Sequence, residues 1–233
     1  MLANVVAPAG VLDGILSNPA ITVEMWPATW QTLAMTALSS LFTVVLGVPL
    51  GLILVGTAKG GLFPNKGVNQ VLGTIVNIGR SFPFVILVVA IIPFTRLLAG
   101  TSLGWQAAIV PLTVGAVPFF ARLVESNISG VDAGKIEAAK MMGASRLQIM
   151  KDVQLAEALP ALVQSVTVTI ITLIGYSAIT GTVGGGGLGF LAVSYGYNRF
   201  DGTVMAVAVL VIIVMVEIIQ RMGDMLSRLV DHR

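Results

Sequence analysis

The sequence predicts an all-α integral membrane protein with five transmembrane helices. Only 10% of its residues are charged and 56% are hydrophobic, with a mean hydropathy of +0.94; a soluble domain carries about 25% charged residues. Apolar windows of about 20 residues, enough to cross a bilayer as a helix, recur along the chain. The Lys and Arg residues gather between alternate windows, as in membrane proteins whose cytoplasmic loops are positive. Helices follow because lipid offers no partner to a free N–H or C=O. The length of 233 residues suits one domain, residues 1–233.

The elements follow in order. The opening MLANVVAPAGVLDGIL has no Lys or Arg before the first long apolar run, so no cleaved signal peptide is expected. The first span runs from about Thr29 to Val55 and contains LAMTALSSLFTVVLGVPLGLILV. The second centres on PFVILVVAIIPF, Pro83 to Phe94. Before it lie apolar residues 68–78 and then Arg80. An Arg at the bilayer centre costs about 3 kcal/mol on insertion scales. Arg80 is therefore expected at the inner interface, after a helix that enters at a slant, in preference to a buried place facing the bundle. The third span is about Ala107 to Leu123, the fourth Ala161 to Thr180 and the fifth Thr203 to Ile219. Pro83, Pro93, Pro111 and Pro118 are expected to mark kinks.

Orientation follows from the basic residues. Lys59 and Lys66, then Arg122, Lys135, Lys140, Arg146 and Lys151, then Arg221, Arg228 and Arg233 share one side of this topology. The other side has Arg96 and Arg199, and an N-terminus with Asp13 and Glu24. The positive side is cytoplasmic, which places the N-terminus outside and the C-terminus inside. Trp26, Trp30, Trp105, Tyr195 and Tyr197 then gather at the outer interface, where amphipathic rings prefer to sit.

Several classes of chemistry are excluded. There is no cysteine and the single histidine is His232. No thiolate nucleophile and no zinc site are expected, and a His beside the end of the chain reads as solvated surface. The net charge of +2 does not suggest nucleic acid. GGGGLG, Gly184 to Gly189, lacks the following helix and Lys of a phosphate-binding loop, and reads as a flexible outer turn. The Asn127-Ile128-Ser129 sequon falls on the cytoplasmic side and reads as chance. Glu217 is the one carboxylate close to a span interior, whereas an ion-coupled carrier places Asp, Glu or His there. Glu217 could pair with a basic residue; snorkelling to the interface is the favoured reading. No nucleophile–base pair supports an intramembrane enzyme, so no catalytic and no metal-binding residue is expected.

One polar segment stands apart, within a loop at about residues 124–158. From Ile136 to Pro160 it reads IEAAKMMGASRLQIMKDVQLAEALP. Ala138, Ala139, Met141 and Met142 favour helix. Gly143 is suited to the left-handed position that ends one. Ser145 with Gln148 forms a capping box that starts the next. Ala139 and Gly143 are four apart and share a face, where small side chains admit another surface. Met141 and Met142 add adaptable apolar contact, and Glu137 a charge. From the residues alone, this helix either lies on lipid headgroups or docks a partner.

Glu137-Ala138-Ala139, three residues, then Gly143 resembles the EAA motif of ABC-importer permeases. RSFPFVILVVAIIPFTRLLAGTSLG, AAIVPLTVGAVPFFARLVE, EALPALV and ITLIGYSAITGTVGGGGLGF are similar to the methionine-import branch of that family. These stretches span roughly Asn77 to Phe190. The resemblance implies a type I importer permease fold with five spans and a cytoplasmic coupling helix. It implies a bacterial inner-membrane protein that imports methionine, D- or L-, as a homodimer. The partners it implies are two copies of a separate cytoplasmic ATPase and an external methionine-binding lipoprotein. ATP would be bound by the ATPase, with no cofactor in this chain. Glu137, Ala138, Ala139, Met141, Met142, Gly143, Ala144 and Ser145 would form the coupling surface. A permease for another small amino acid is the nearest alternative, and an ion-coupled transporter a more distant one. The family pattern continues Ile-x-Leu-Pro where this chain has Val153-Gln154-Leu155-Ala156. Without the Pro, the second helix should run straighter there.

Polar residues in the fourth span are candidates for the substrate path: Thr167, Thr169, Thr172, Tyr176, Ser177 and Thr180. Tyr176, Ser177 and Thr180 rank first because they approach the outer end beside the Gly-rich turn. The competing reading is that their hydroxyls bond their own helix.

Overall fold

The computed structural model describes residues 17–231. The signal-peptide reading, the first residues' side of the membrane and His232 lie outside the described residues. The chain is a bundle of helices joined by short turns. In order these are α1 Pro19–Thr22, α2 Met25–Thr57, α3 Lys66–Ser81, α4 Phe84–Ala90, α5 Ile92–Ala99, α6 Trp105–Ser129, α7 Ala133–Met141, α8 Arg146–Gln148, α9 Ala156–Thr182, α10 Gly187–Leu191 and α11 Gly202–Leu229. A π-helical turn, Ile149–Leu155, leads into α9, and another, Ala192–Tyr197, follows α10.

Four of these stretches are long and apolar enough to cross a membrane: α2, α6, residues 146–182 and α11. The fifth crossing is broken. Helices α3 and α4 meet at 102°. Phe82 and Pro83 at the corner are extended, as a residue before Pro and Pro itself prefer. Asn65 starts α3, its side chain accepting the Val68 N–H. Arg80 is exposed in the last turn of α3, just before the corner. Pro93 opens α5, while Pro111 and Pro118 lie inside α6.

Small residues hold the centre together. Thr32, Thr36, Ser39, Thr43, Gly47 and Gly51 form one buried stripe on α2. A Cβ on Gly51 would lie 2.6 Å from Val124 on α6 and 2.8 Å from the Ala121 carbonyl oxygen. Close backbone approach of this kind is how helices associate in lipid, where apolar area alone gives little drive. Phe120, Val124, Ile128, Ala158 and Leu162 continue this core toward the C-terminal end of α6. The opposite face of α2 exposes Leu41, Phe42, Val45 and Leu46, as a lipid-facing surface should.

Two loops differ from expectation. The run after α9 is a packed turn, not a flexible one. Gly184, Gly186 and Gly187 have φ of +87°, +72° and +76°, open to glycine at little cost. A short helix does follow, but the first donors are engaged: Gly187 N–H donates to Gln31 Oε1 and Leu188 N–H to Thr32 Oγ1, both at 2.9 Å. At its C-terminal end α11 continues to Leu229, ten residues beyond the apolar window. Charge ends the hydropathy signal there, but nothing ends the helix. Gly223 packs against Thr167 of α9, and Ser227 donates to the Pro160 carbonyl at 3.1 Å. Glu217 lies 3.5 Å from Arg221 one turn on, both side chains being exposed, so pairing accompanies the expected snorkelling.

Asp201 fixes the N-terminal end of α11. Its Oδ1 accepts the Thr203 and Val204 N–H groups at 3.1 Å each, and Asn18 donates to its Oδ2 at 2.7 Å. The Val204 N–H foremost, and then the Asn18 amide, hold its carboxyl below the ordinary carboxylate range.

Candidate functional site: a docking helix

Local chemistry sets each turn of the polar segment. Asp132 Oδ1 accepts the Lys135 N–H at 3.2 Å and starts α7. The helix ends at Met141. Gly143 follows at φ +82°, its N–H donating to the Lys140 carbonyl and that of Ala144 to the Ala139 carbonyl, both at 3.0 Å. The capping box then starts α8. Ser145 Oγ accepts the Gln148 N–H at 3.3 Å, and Gln148 Oε1 accepts the Ser145 N–H at 2.8 Å. The glycine stop and the serine restart match the sequence reading.

Beyond α8 the chain does not break. Ala156 has helical φ and ψ of −63° and −45°. The path is continuous but passes through the wide π turn rather than a plain α-helix. The first proline in it is Pro160, inside α9.

One face of α7 is fastened to the bundle. Ala139 is buried against Leu62 and Ile149. Lys135 forms an ion pair with Glu157 at the start of α9. The Arg146 guanidinium lies 5.9 Å from the centre of the Phe63 ring, within cation–π reach. Leu62 and Phe63 belong to the loop after α2, so three parts of the chain hold this segment.

The other face is open. Met141, Met142 and Leu147 are 89%, 81% and 69% exposed. Glu137, Ala138, Gly143 and Ser145 are exposed beside them, and Ala144 is partly covered. Adjacent large apolar side chains left uncovered on a fixed element mark an interaction surface. Ala139 is a correction to the expected shared face. It is turned inward, and its small side chain lets α7 approach its own bundle rather than a partner. At Gly143 an added Cβ would meet nothing within 4 Å; the backbone conformation, not space, requires glycine.

The three pathway candidates divide. The Tyr176 ring stacks on Phe84 with centroids 4.1 Å apart and planes 5° from parallel. Ser177 and Thr180 are buried, and their hydroxyls donate to the Ile174 and Ser177 carbonyls of their own helix at 2.7 and 2.8 Å. Thr180 also lines a cavity at the C-terminal end of α9. The described residues contain no group of three or more His, Cys, Asp or Glu placed to hold a metal.

Sequence reasoning missed the fastening contacts. Leu62, Phe63 and Glu157 are far from α7 in sequence. It also missed Leu147, although an apolar residue just after the capping serine was a visible signal. Arg122, read only as a cytoplasmic charge, pins α3 to α6. It pairs with Glu125 and donates to the Gly73 carbonyl at 3.1 Å and to Asn77 Oδ1 at 2.9 Å.

Comparison with known proteins adds to this geometry. Residues 47–232 match the family described as binding-protein-dependent transport system inner membrane component. The probable D-methionine transport system permease protein MetI of Vibrio cholerae is 57% identical over 206 residues, 88% of this chain and 92% of that protein. The methionine import system permease protein MetP of Bacillus subtilis is 49% identical over 210 residues, 90% and 95% of the two chains. A chain of the MetNI methionine ABC transporter, solved in an inward-facing conformation, superposes with a TM-score of 0.87 at 48% identity, covering 89% of this chain and 98% of that one. An amino acid ABC transporter solved with histidines superposes at 0.76 with 18% identity, which supports the fold alone.

Proposed function

Since this chain belongs to the family of binding-protein-dependent transport system inner membrane components, we propose that it is the permease subunit of an ATP-driven importer for methionine. It is an all-α inner-membrane protein with the fold of an ABC-importer permease. The single observation that carries its mode of action is the uncovered Met141–Met142 pair on a helix fastened from behind. A helix resting on headgroups would have no need of anchoring from three directions. A helix that must transmit force would.

The chain acts as a homodimer with one cytoplasmic ATPase subunit on each α7. It binds no nucleotide; ATP is held and hydrolysed by the partner. Closure of the ATPase pair moves α7. That displacement reaches α9 by two routes, Ala139 against Ile149 in the π turn and Lys135 against Glu157. The bundle tilts, the path opens outward, and an external methionine-binding lipoprotein delivers substrate. Hydrolysis resets it. The coupling equals the difference in ATPase affinity between the two states of the bundle. An ion-coupled mechanism has little to work with, because Glu217, the carboxylate nearest a span interior, is paired with Arg221.

The test is uptake of labelled methionine into liposomes holding the permease and its co-expressed ATPase. Uptake should require ATP inside, binding protein outside and both subunits. Uptake by the permease alone, driven by an ion gradient, would overturn the proposal.

A further inference from the structure

Between α4, α5 and the outer ends of α6 and α9 lies a cavity of about 240 Å³. Val88, Ile92, Ala107, Pro111 and Val183 give it an apolar wall. Its one charged group is a cation. Arg96 and Ser102 face it, with Arg96 Nε donating to Ser102 Oγ at 3.1 Å. That leaves the Arg96 Nη groups with no protein acceptor among the described residues. Thr95 also lines it; this side chain is 4% exposed and its hydroxyl has no hydrogen-bond partner. A buried hydroxyl left unpaired is unfavourable, so a group that bonds it is stabilised there. No Asp or Glu is among the lining residues. One helical turn before Val88 and Thr180 along α4 and α9, the rings of Phe84 and Tyr176 stack.

We infer that this cavity is a vestibule for a small carboxylate carrying an apolar chain, bound by Arg96 and Thr95. The guanidinium takes the carboxylate in a paired, charge-assisted contact. The Thr95 hydroxyl donates to one of its oxygens. The apolar wall takes the chain, and the absence of an acidic residue leaves any ammonium group directed to water. The inference rests on the proposed function and deepens it, by giving the imported amino acid a first site on the permease itself. It also gives Thr180 a place in the path as wall rather than donor.

The experiment measures binding to the permease–ATPase complex in nanodiscs, without binding protein, by isothermal titration. Methionine is the probe, and methioninol, which keeps the chain and the amine but lacks the carboxylate, is the control. Methionine should bind and methioninol should bind at least tenfold more weakly. Arg96→Gln should abolish the difference between the two ligands, while Arg96→Lys keeps part of it. Thr95→Val should weaken methionine binding about fivefold, the worth of one hydrogen bond. Equal binding of both ligands, or methionine binding unchanged in Arg96→Gln, would overturn the vestibule and leave Arg96 as a tether of the outer loop. Liposome uptake by the unaltered protein separates the two proposals. Uptake with a failed titration sinks only the vestibule, and no uptake at all sinks the proposed function.

Discussion

Replacing Met141 and Met142 together by serine should detach the ATPase without harming the permease. The structure supplies the magnitude. At 89% and 81% exposure, nearly the whole of each side chain is available to a partner and almost none is used by the fold. Burying a Met side chain is worth about 1.5–3 kcal/mol. Taking the lower value for each, the pair loses about 3 kcal/mol per docking site, about a 100-fold weaker association. Exposed substitutions of this kind shift stability by less than about 0.5 kcal/mol. The assay is a titration of labelled ATPase subunit onto nanodisc-embedded permease, beside a thermal melt of the permease alone. Unchanged affinity in the double variant, or a large loss of stability, would refute the reasoning.

Other substitutions separate the two sides of the same segment. Ala139→Leu overpacks the contact with Leu62 and Ile149 and should cost about 1–3 kcal/mol of permease stability, seen as a lower melting temperature before any ATPase is added. Gly143→Ala finds open space but an unfavourable φ, so it should cost about 1 kcal/mol and reduce coupled ATPase activity without abolishing insertion. Gly51→Ala drives a methyl group into Val124 and the Ala121 backbone, and should prevent stable assembly in a detergent melt. At Asp201 the folded-state pKa lies below the unfolded one. Its contribution is therefore complete above the ordinary carboxylate range and lost as pH falls through the lowered value. Asp201→Ala should cost about 1 kcal/mol through the lost cap and flatten the acid limb of the stability profile.

What could be read from sequence was what depends on local pattern. Apolar windows give the spans. Gly143 and the Ser145–Gln148 pair give the shape of the docking segment, because caps are decided within four residues. What failed was non-local. Ala139 looked like part of an outward face until Leu62, from a loop some 80 positions earlier, was seen to cover it. The 102° corner was only half visible, since Pro83 signals a turn but not its angle. The glycine run looked loose because its ordering partners, Gln31 and Thr32, sit on another helix. Cation–π and ion-pair anchors such as Phe63–Arg146 and Lys135–Glu157 leave no periodic trace.

The most direct test of the account uses a thiol. The chain has no cysteine, so Met142→Cys gives a unique label site, with Phe200→Cys in the loop before α11, 90% exposed, as the control. Maleimide labelling of each permease is followed by mass, with and without bound ATPase. The account predicts that position 142 reacts fast alone and is protected in the complex, while position 200 reacts alike in both. Equal labelling at 142 in the complex would contradict the claim that this helix is the docking surface.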